Sequence, residues 1–187
     1  MIQFNLLIVL SCSSIIKREK KMIYTIKNAL SNDLILECVK HSQEQFRGKN
    51  LRTNFGWGYE LVQESSPVLI NDIPDDSELY QRILEDLKTR SEIPSVKEVK
   101  MMFFYWTRGS YIPWHTDQNY EAGITIYLND VWGQDDGGLF LYREDDQIKG
   151  LIPEYNMMVI QTGGVYHTVT PIIPVGAIRA SIQIFLK

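Results

Sequence analysis

Apolar residues fall at helical spacing in two stretches of the first half of the chain and in short, dense runs through the second. Leu34, Cys38 and Val39 form one stripe just after Ser31 and Asn32. Either polar residue can cap a helix running to about Phe46, because its side-chain oxygen can accept from the free N–H groups of the first turn. Asp75-Asp76-Ser77 offers a second cap, and Leu79, Ile83, Leu84 and Leu87 then repeat at helical spacing to about Thr89. Residues 23–26 read as a short strand. Residues 54–74, rich in Gly, Ser, Pro and aromatics, read as irregular structure with one strand near 60–62. From Val96 onward β-rich runs follow one another at 99–106, 111–115, 123–128, 139–142, 157–161, 165–171 and 177–186, with Gly, Asp, Asn or Pro in nearly every gap. Strands at this spacing, with no helix between them, suggest an all-β sandwich or barrel. The pattern therefore predicts a single α+β domain, two helices laid against a C-terminal β-core.

A chain of 187 residues is long enough for one well-buried core. Its net charge of −4 lends no support to a nucleic-acid or anionic-membrane partner. The two cysteines, Cys12 and Cys38, make neither a disulfide framework nor a zinc-finger spacing, which fits a reducing, cytoplasmic setting. Residues 1–21 stand apart. Their apolar run at 4–10 is too short to span a bilayer, and the basic residues Lys17 to Lys21 follow it, whereas a signal peptide carries its charges first. Val9-Leu10-Ser11-Cys12 looks like a bacterial lipoprotein cleavage site; the simpler reading starts the folded chain at Met22 and treats 1–21 as an extension. The domain is then 22–187, with its β-core at about 96–187.

The chain has three histidines, so their positions are informative. His115-Thr116-Asp117 sits where a strand gives way to a loop, and residues i and i+2 of an extended chain share a face. His167 lies in a later strand. Two imidazoles and one carboxylate on one side of a metal leave three positions open, as in non-haem Fe(II) oxygenases. The same donors also describe hydrolytic zinc. Arg179 adds a second element. If 165–171 and 177–186 pair antiparallel about Pro174, Arg179 falls opposite Val169 and shares an interior face with His167. A buried guanidinium requires a carboxylate, and the last acid before it in sequence is Glu154. An exogenous dicarboxylate fits, held in a bidentate fork.

These residues resemble the 2-oxoglutarate/Fe(II) oxygenase superfamily, most closely its prolyl 4-hydroxylase-like branch. The resemblance rests on Tyr105-x3-Gly109-x-Tyr111-x3-His115-x-Asp117, the strand Ile124-Thr125-Ile126-Tyr127-Leu128-Asn129, the Gly137-Gly138 opening, and His167-x-Val169-x-Pro171 followed by Gly176 and Arg179. It implies a double-stranded β-helix, or jelly roll, with iron inside its open end on His115, Asp117 and His167. It implies further that Arg179 and Tyr127 hold the distal carboxylate of 2-oxoglutarate and that Tyr105 approaches the metal-binding end of the co-substrate. The activity implied is oxidative decarboxylation of 2-oxoglutarate with O2, coupled to hydroxylation of a small-molecule or peptidyl substrate, with ascorbate as an auxiliary reductant. Many prolyl 4-hydroxylases carry lysine where this chain has Arg179, which leaves proline open as the substrate. A cupin-like binding module would use the same three ligands without needing an arginine that faces them. Phe55-Gly56-Trp57-Gly58-Tyr59 offers large apolar contacts between glycines, so Trp57 and Tyr59 are candidates for the substrate rim; packing of the helices onto the sheet is the alternative for the same aromatics.

Overall fold

Alternating side chains divide one large sheet into two apolar faces, and what covers each face decides where the site lies. The chain is described by a computed structural model over residues 22–53, 64–94, 97–162 and 164–187. The elements run β1 (Met22–Ile26), α1 (Asn32–Arg47), β2 (Arg52–Thr53), β3 (Val68–Asp72), α2 (Glu78–Lys88), β4 (Val99–Trp106), β5 (Ile112–His115), β6 (Ala122–Tyr127), a 3-10 turn (Gln134–Asp136), β7 (Phe140–Glu144), β8 (Gln147–Leu151), β9 (Met158–Thr162), β10 (His167–Val169) and β11 (Arg179–Leu186). The strands form a major sheet in the order β1-β9-β6-β11-β4-β3-β2 and a minor sheet in the order β5-β10-β7-β8. Neighbouring strands pair antiparallel, as in a jelly roll.

Both helices begin where the caps predict. The Ser31 hydroxyl accepts from the Leu34 N–H and the Ser77 hydroxyl from the Tyr80 N–H. Leu34, Ile35 and Cys38 of α1, with Leu79, Ile83 and Leu87 of α2, cover one face of the major sheet. That face presents Met101, Phe103 and Tyr105 of β4, Ile124 and Ile126 of β6, Met158 and Ile160 of β9, and Ile182, Ile184 and Leu186 of β11. The intervening residues point the other way and meet the minor sheet: Met102, Phe104 and Trp106, Tyr127, Val159, and from the minor sheet Ile112, Phe140 and Val169. The helices therefore close one face, and the sheets enclose the cavity on the other.

Three strands of this fold escape the sequence pattern, the shortest being β2. β3 falls in the stretch read as irregular, with Val68 and Ile70 buried against the minor sheet. β8 is polar and exposed along most of its length. It is held by a two-residue turn in which Asp145 and Asp146 both take positive φ, the hairpin geometry that acidic and amide residues tolerate. The strand expected near 60–62 lies outside the described residues. Among the described residues, no helix is long and apolar enough to cross a membrane.

Candidate metal centre

β5 and β10 pair so that His115 stands directly opposite His167, and their rings lie 4.2 Å apart between centroids. Asp117 follows β5 by two residues, which brings its carboxylate to the same side. Ligand atoms of His115, Asp117 and His167 all lie within 4.8 Å of one another. Asp117 Oδ1 is 3.7 Å from His115 Nε2, and Asp117 Oδ2 is 3.6 Å from His167 Nε2. Each imidazole is fixed from behind: Nδ1 of His115 donates to the Pro113 carbonyl and Nδ1 of His167 to the Val165 carbonyl, both at 2.8 Å. A carbonyl can only accept, so Nε2 of each ring keeps its lone pair for a ligand. Burial, then the neighbouring His115, push the His167 pKa down to about 4 against the opposing effect of Asp117. His167 is therefore a neutral imidazole at pH 7. The third histidine, His41, sits on α1 stacked over Phe103, on the far side of the sheet.

The opposite part of the same cavity is built by β11 and its neighbours. Arg179 is 2% exposed and pairs in register with Trp106, so its guanidinium carbon lies 4.5 Å over the Trp106 ring and 5.6 Å over that of Tyr127. Its Nη1 donates to the Gly138 carbonyl. Gly138 must be glycine on two counts: its φ is +63°, and a Cβ would come within 2.9 Å of Nη1. Nε of Arg179 and the hydroxyl of Ser181, two residues along on the same face, are buried with no partner among the described residues. Nor does Arg179 meet a carboxylate among those residues. Burial raises the pKa of Tyr127, against the lowering effect of Arg179.

Arg179 thus reaches the cavity, but not by the expected pairing. β10 and β11 belong to different sheets, and Arg179 and Val169 line one cavity from the two sides. Tyr105 is a second correction. It is one residue from Trp106, so it faces the helices, where its hydroxyl donates to the Ser42 carbonyl at 2.9 Å. It cannot approach the metal end of the cavity from there. Trp57 and Tyr59 lie outside the described residues. The structure adds residues that sequence reasoning missed: Trp106, Ser181, Gln161, Thr125 and Gln183 all lie on the cavity face. Thr125 donates to Gln183 at 2.7 Å. A polar residue at an alternate position of an otherwise apolar strand was the signal for Gln161, Thr125 and Gln183.

Residues 101–187 match the family model of the 2OG-Fe(II) oxygenase superfamily. Over those residues the chain is similar to the 2OG-Fe(II) oxygenases. Its fold is similar to that of a Pseudomonas putida prolyl-4-hydroxylase, at 17% identity, with 88% of this chain and 91% of that one covered and a TM-score of 0.72. It is also similar to a Trichoplax adhaerens prolyl hydroxylase in complex with a hypoxia inducible factor peptide fragment, at 16% identity, 88% and 82% coverage and a TM-score of 0.74. The α-ketoglutarate-dependent epimerase SnoN of nogalamycin biosynthesis is similar at 9% identity, 88% and 77% coverage and a TM-score of 0.64. No curated protein sequence matches the chain.

A 2OG-Fe(II) oxygenase is a 2-oxoglutarate-dependent dioxygenase, working with Fe(II), 2-oxoglutarate and O2. The residues present fit that requirement. Two imidazoles whose Nδ1 atoms are engaged by backbone carbonyls, and one carboxylate, make the facial donor set that iron takes. At the other part of the cavity, the unpartnered Nε of Arg179 and the hydroxyl of Ser181 suit the far carboxylate of a dicarboxylic acid.

Proposed function

We propose that the enzyme hydroxylates an aliphatic C–H of a small-molecule or peptidyl substrate, converting 2-oxoglutarate and O2 to succinate and CO2. His115, Asp117 and His167 hold the iron; Arg179, with Tyr127 and Ser181, holds the distal carboxylate. One observation carries this reading: a fully buried guanidinium, with no carboxylate partner among the described residues, shares one cavity with the three ligands. A module that only bound a metal would have no use for that charge, whose burial costs free energy until an anion arrives.

Bound iron and 2-oxoglutarate supply the oxidising chemistry; the chain supplies place and orientation. The Pro113 and Val165 carbonyls fix both imidazoles, so their Nε2 atoms would offer a bound iron one fixed set of donors. Arg179 sets the direction of the dicarboxylate by holding the end remote from the metal. Phe104, Ile112, Phe140 and Val169 line the walls and exclude water. Two of the similar folds belong to prolyl hydroxylases and one to an epimerase, so peptidyl proline is the first substrate to try rather than the last.

The experiment is anaerobic loading with Fe(II), then with 2-oxoglutarate, followed by oxygen and a panel of peptidyl and free amino-acid substrates. A weak visible charge-transfer band should appear on adding 2-oxoglutarate, and succinate should form after oxygen. A protein that prefers zinc, shows no band with iron and makes no succinate would be a binding module, and the reading would be wrong.

A further inference from the structure

One polar contact in the cavity reaches Asp117 from a residue outside both the triad and the clamp. On β9, Met158 and Ile160 face the helices, while Val159 and Gln161 face the cavity. Gln161 is 7% exposed, and its Nε2 donates to Asp117 Oδ2 at 2.5 Å. A carboxylate can only accept, so the amide must present its nitrogen, and Oε1 is left buried with no partner among the described residues. Gly123 on β6 stands directly across from Gln161 in the register. A Cβ at that position would sit 2.6 Å from Gln161 Nε2, 3.2 Å from Cγ and 3.3 Å from Cδ. Gly123 is not among the residues at positive φ. It is glycine for space, and the space is occupied by Gln161.

We propose that Gln161, seated over Gly123, is the positioning residue that fixes Asp117 as a metal ligand. The amide engages Oδ2 and thereby holds the carboxylate plane. Oδ1, 3.7 Å from His115 Nε2, is then the oxygen that accepts no hydrogen bond among the described residues. Asp117 lies beyond the end of β5, where no ladder hydrogen bond restrains it. Without the amide its carboxylate is free to rotate away from the two imidazoles. The proposal rests on the reading of His115, Asp117 and His167 as the metal site.

Two substitutions reach the same contact from opposite sides. Gln161→Met keeps the length and removes the donor; Gly123→Ala keeps the donor and removes its seat. Metal-free protein is titrated anaerobically with Fe(II), and with Co(II) as a spectroscopic probe. Each variant should bind Fe(II) about 10–100-fold more weakly, the usual cost of losing an outer-shell partner. The Co(II) visible spectrum should change, and metal-free melting should stay within about 4 °C of the parent, roughly 1–2 kcal/mol for a chain of this size. Because both act on one contact, the double variant should bind no more weakly than Gln161→Met alone. His115→Ala is the control. If it retains Fe(II), the metal reading falls and takes this proposal with it. If it loses Fe(II) while Gln161→Met binds as the parent does with an unaltered Co(II) spectrum, only the proposal falls. Additive losses in the double variant, or a drop in melting without a change in metal affinity, would also overturn it. Should Gly123→Ala fail to fold, Gln161→Met decides alone.

Discussion

Replacing Arg179 with methionine separates what this residue does for stability from what it does for the reaction. Methionine keeps much of the volume and removes the charge. Burial pushes the guanidinium pKa from 12.5 down to about 10, opposed only by Tyr127. A folded-state pKa below the unfolded one means that folding disfavours the protonated group. Below pH 10 it is charged in both states, so the penalty is constant from there down to neutral pH and is relieved only as pH rises through 10. At about 1.4 kcal/mol per tenfold change, the penalty is roughly 3 kcal/mol. Against it stand the hydrogen bond from Nη1 to the Gly138 carbonyl, worth about 1.5–3 kcal/mol for a charged donor, and the Trp106 face, worth about 0.5–2 kcal/mol. These nearly cancel. Arg179→Met should therefore change the stability of the ligand-free protein by less than about 2 kcal/mol.

The co-substrate complex is a different matter, because the dicarboxylate completes a buried ion pair there. Losing one partner of such a pair costs about 3–5 kcal/mol, or roughly two to four decades in affinity. Thermal melting with Fe(II) under anaerobic conditions, with and without 2-oxoglutarate, reads both effects. At a hundredfold excess over Kd the parent should gain about 2.7 kcal/mol, a rise of roughly 5–10 °C. Arg179→Met should gain nothing at the same concentration. A 2-oxoglutarate-dependent rise surviving in this variant would remove Arg179 from the clamp. A ligand-free loss above about 4 kcal/mol would make the guanidinium a structural anchor rather than a waiting ligand.

Alanine at His115, Asp117 or His167 should abolish Fe(II) binding and, with it, the charge-transfer band on adding 2-oxoglutarate; retention of the band in any of the three would remove that residue from the centre. Tyr127→Phe should weaken 2-oxoglutarate by about 0.5–3 kcal/mol, one hydrogen bond to a charged group, read by titrating the same band. Tyr105→Phe should lower stability by about 1 kcal/mol through the lost contact with Ser42 and leave 2-oxoglutarate affinity unchanged; weakened affinity would return Tyr105 to the cavity. Trp57→Ala and Tyr59→Ala should leave Fe(II) and 2-oxoglutarate binding intact and raise succinate formed without hydroxylated product. Lower melting with unchanged coupling would assign both aromatics to packing.

The helices were legible because each carries a local start signal and a stripe at one period, and neither depends on a distant partner. The triad was legible for a similar reason: an i, i+2 pair on a strand end has only one face to point at. Strands whose stability comes from elsewhere were not. β8 carries little apolar signal of its own and exists because β7 pairs with it across the Asp145-Asp146 turn. Arg179 was placed in the cavity for a sound reason, its lack of a local acid, through a pairing that does not form. Tyr105, one strand away, was misplaced for a different reason, a motif position carried over by resemblance. Given the true register, Arg179 opposite Trp106, alternation alone sends Tyr105 to the helix side, and no motif position can override that.

The two faces of the major sheet differ in how their polar atoms are satisfied, and this difference is what marks the site. On the helix side, Tyr105 and Ser42 hydrogen-bond to each other, and Asn156 bridges to both backbone groups of Leu30. On the cavity side, Arg179 Nε, Ser181 Oγ and Gln161 Oε1 are each buried without a partner among the described residues. An orphaned buried polar atom costs about 1–3 kcal/mol, so three on one face are a standing debt that apolar packing elsewhere must offset. The helix-covered core can carry it, since α1 and α2 bury the apolar residues of the opposite face. A cavity face in that condition is poised for ligands: a dicarboxylate at Arg179 and Ser181 removes two of the orphans at once. Stability and function are therefore divided between the two sides of one sheet, and substitutions on the helix side should move melting, while substitutions on the cavity side should move affinity.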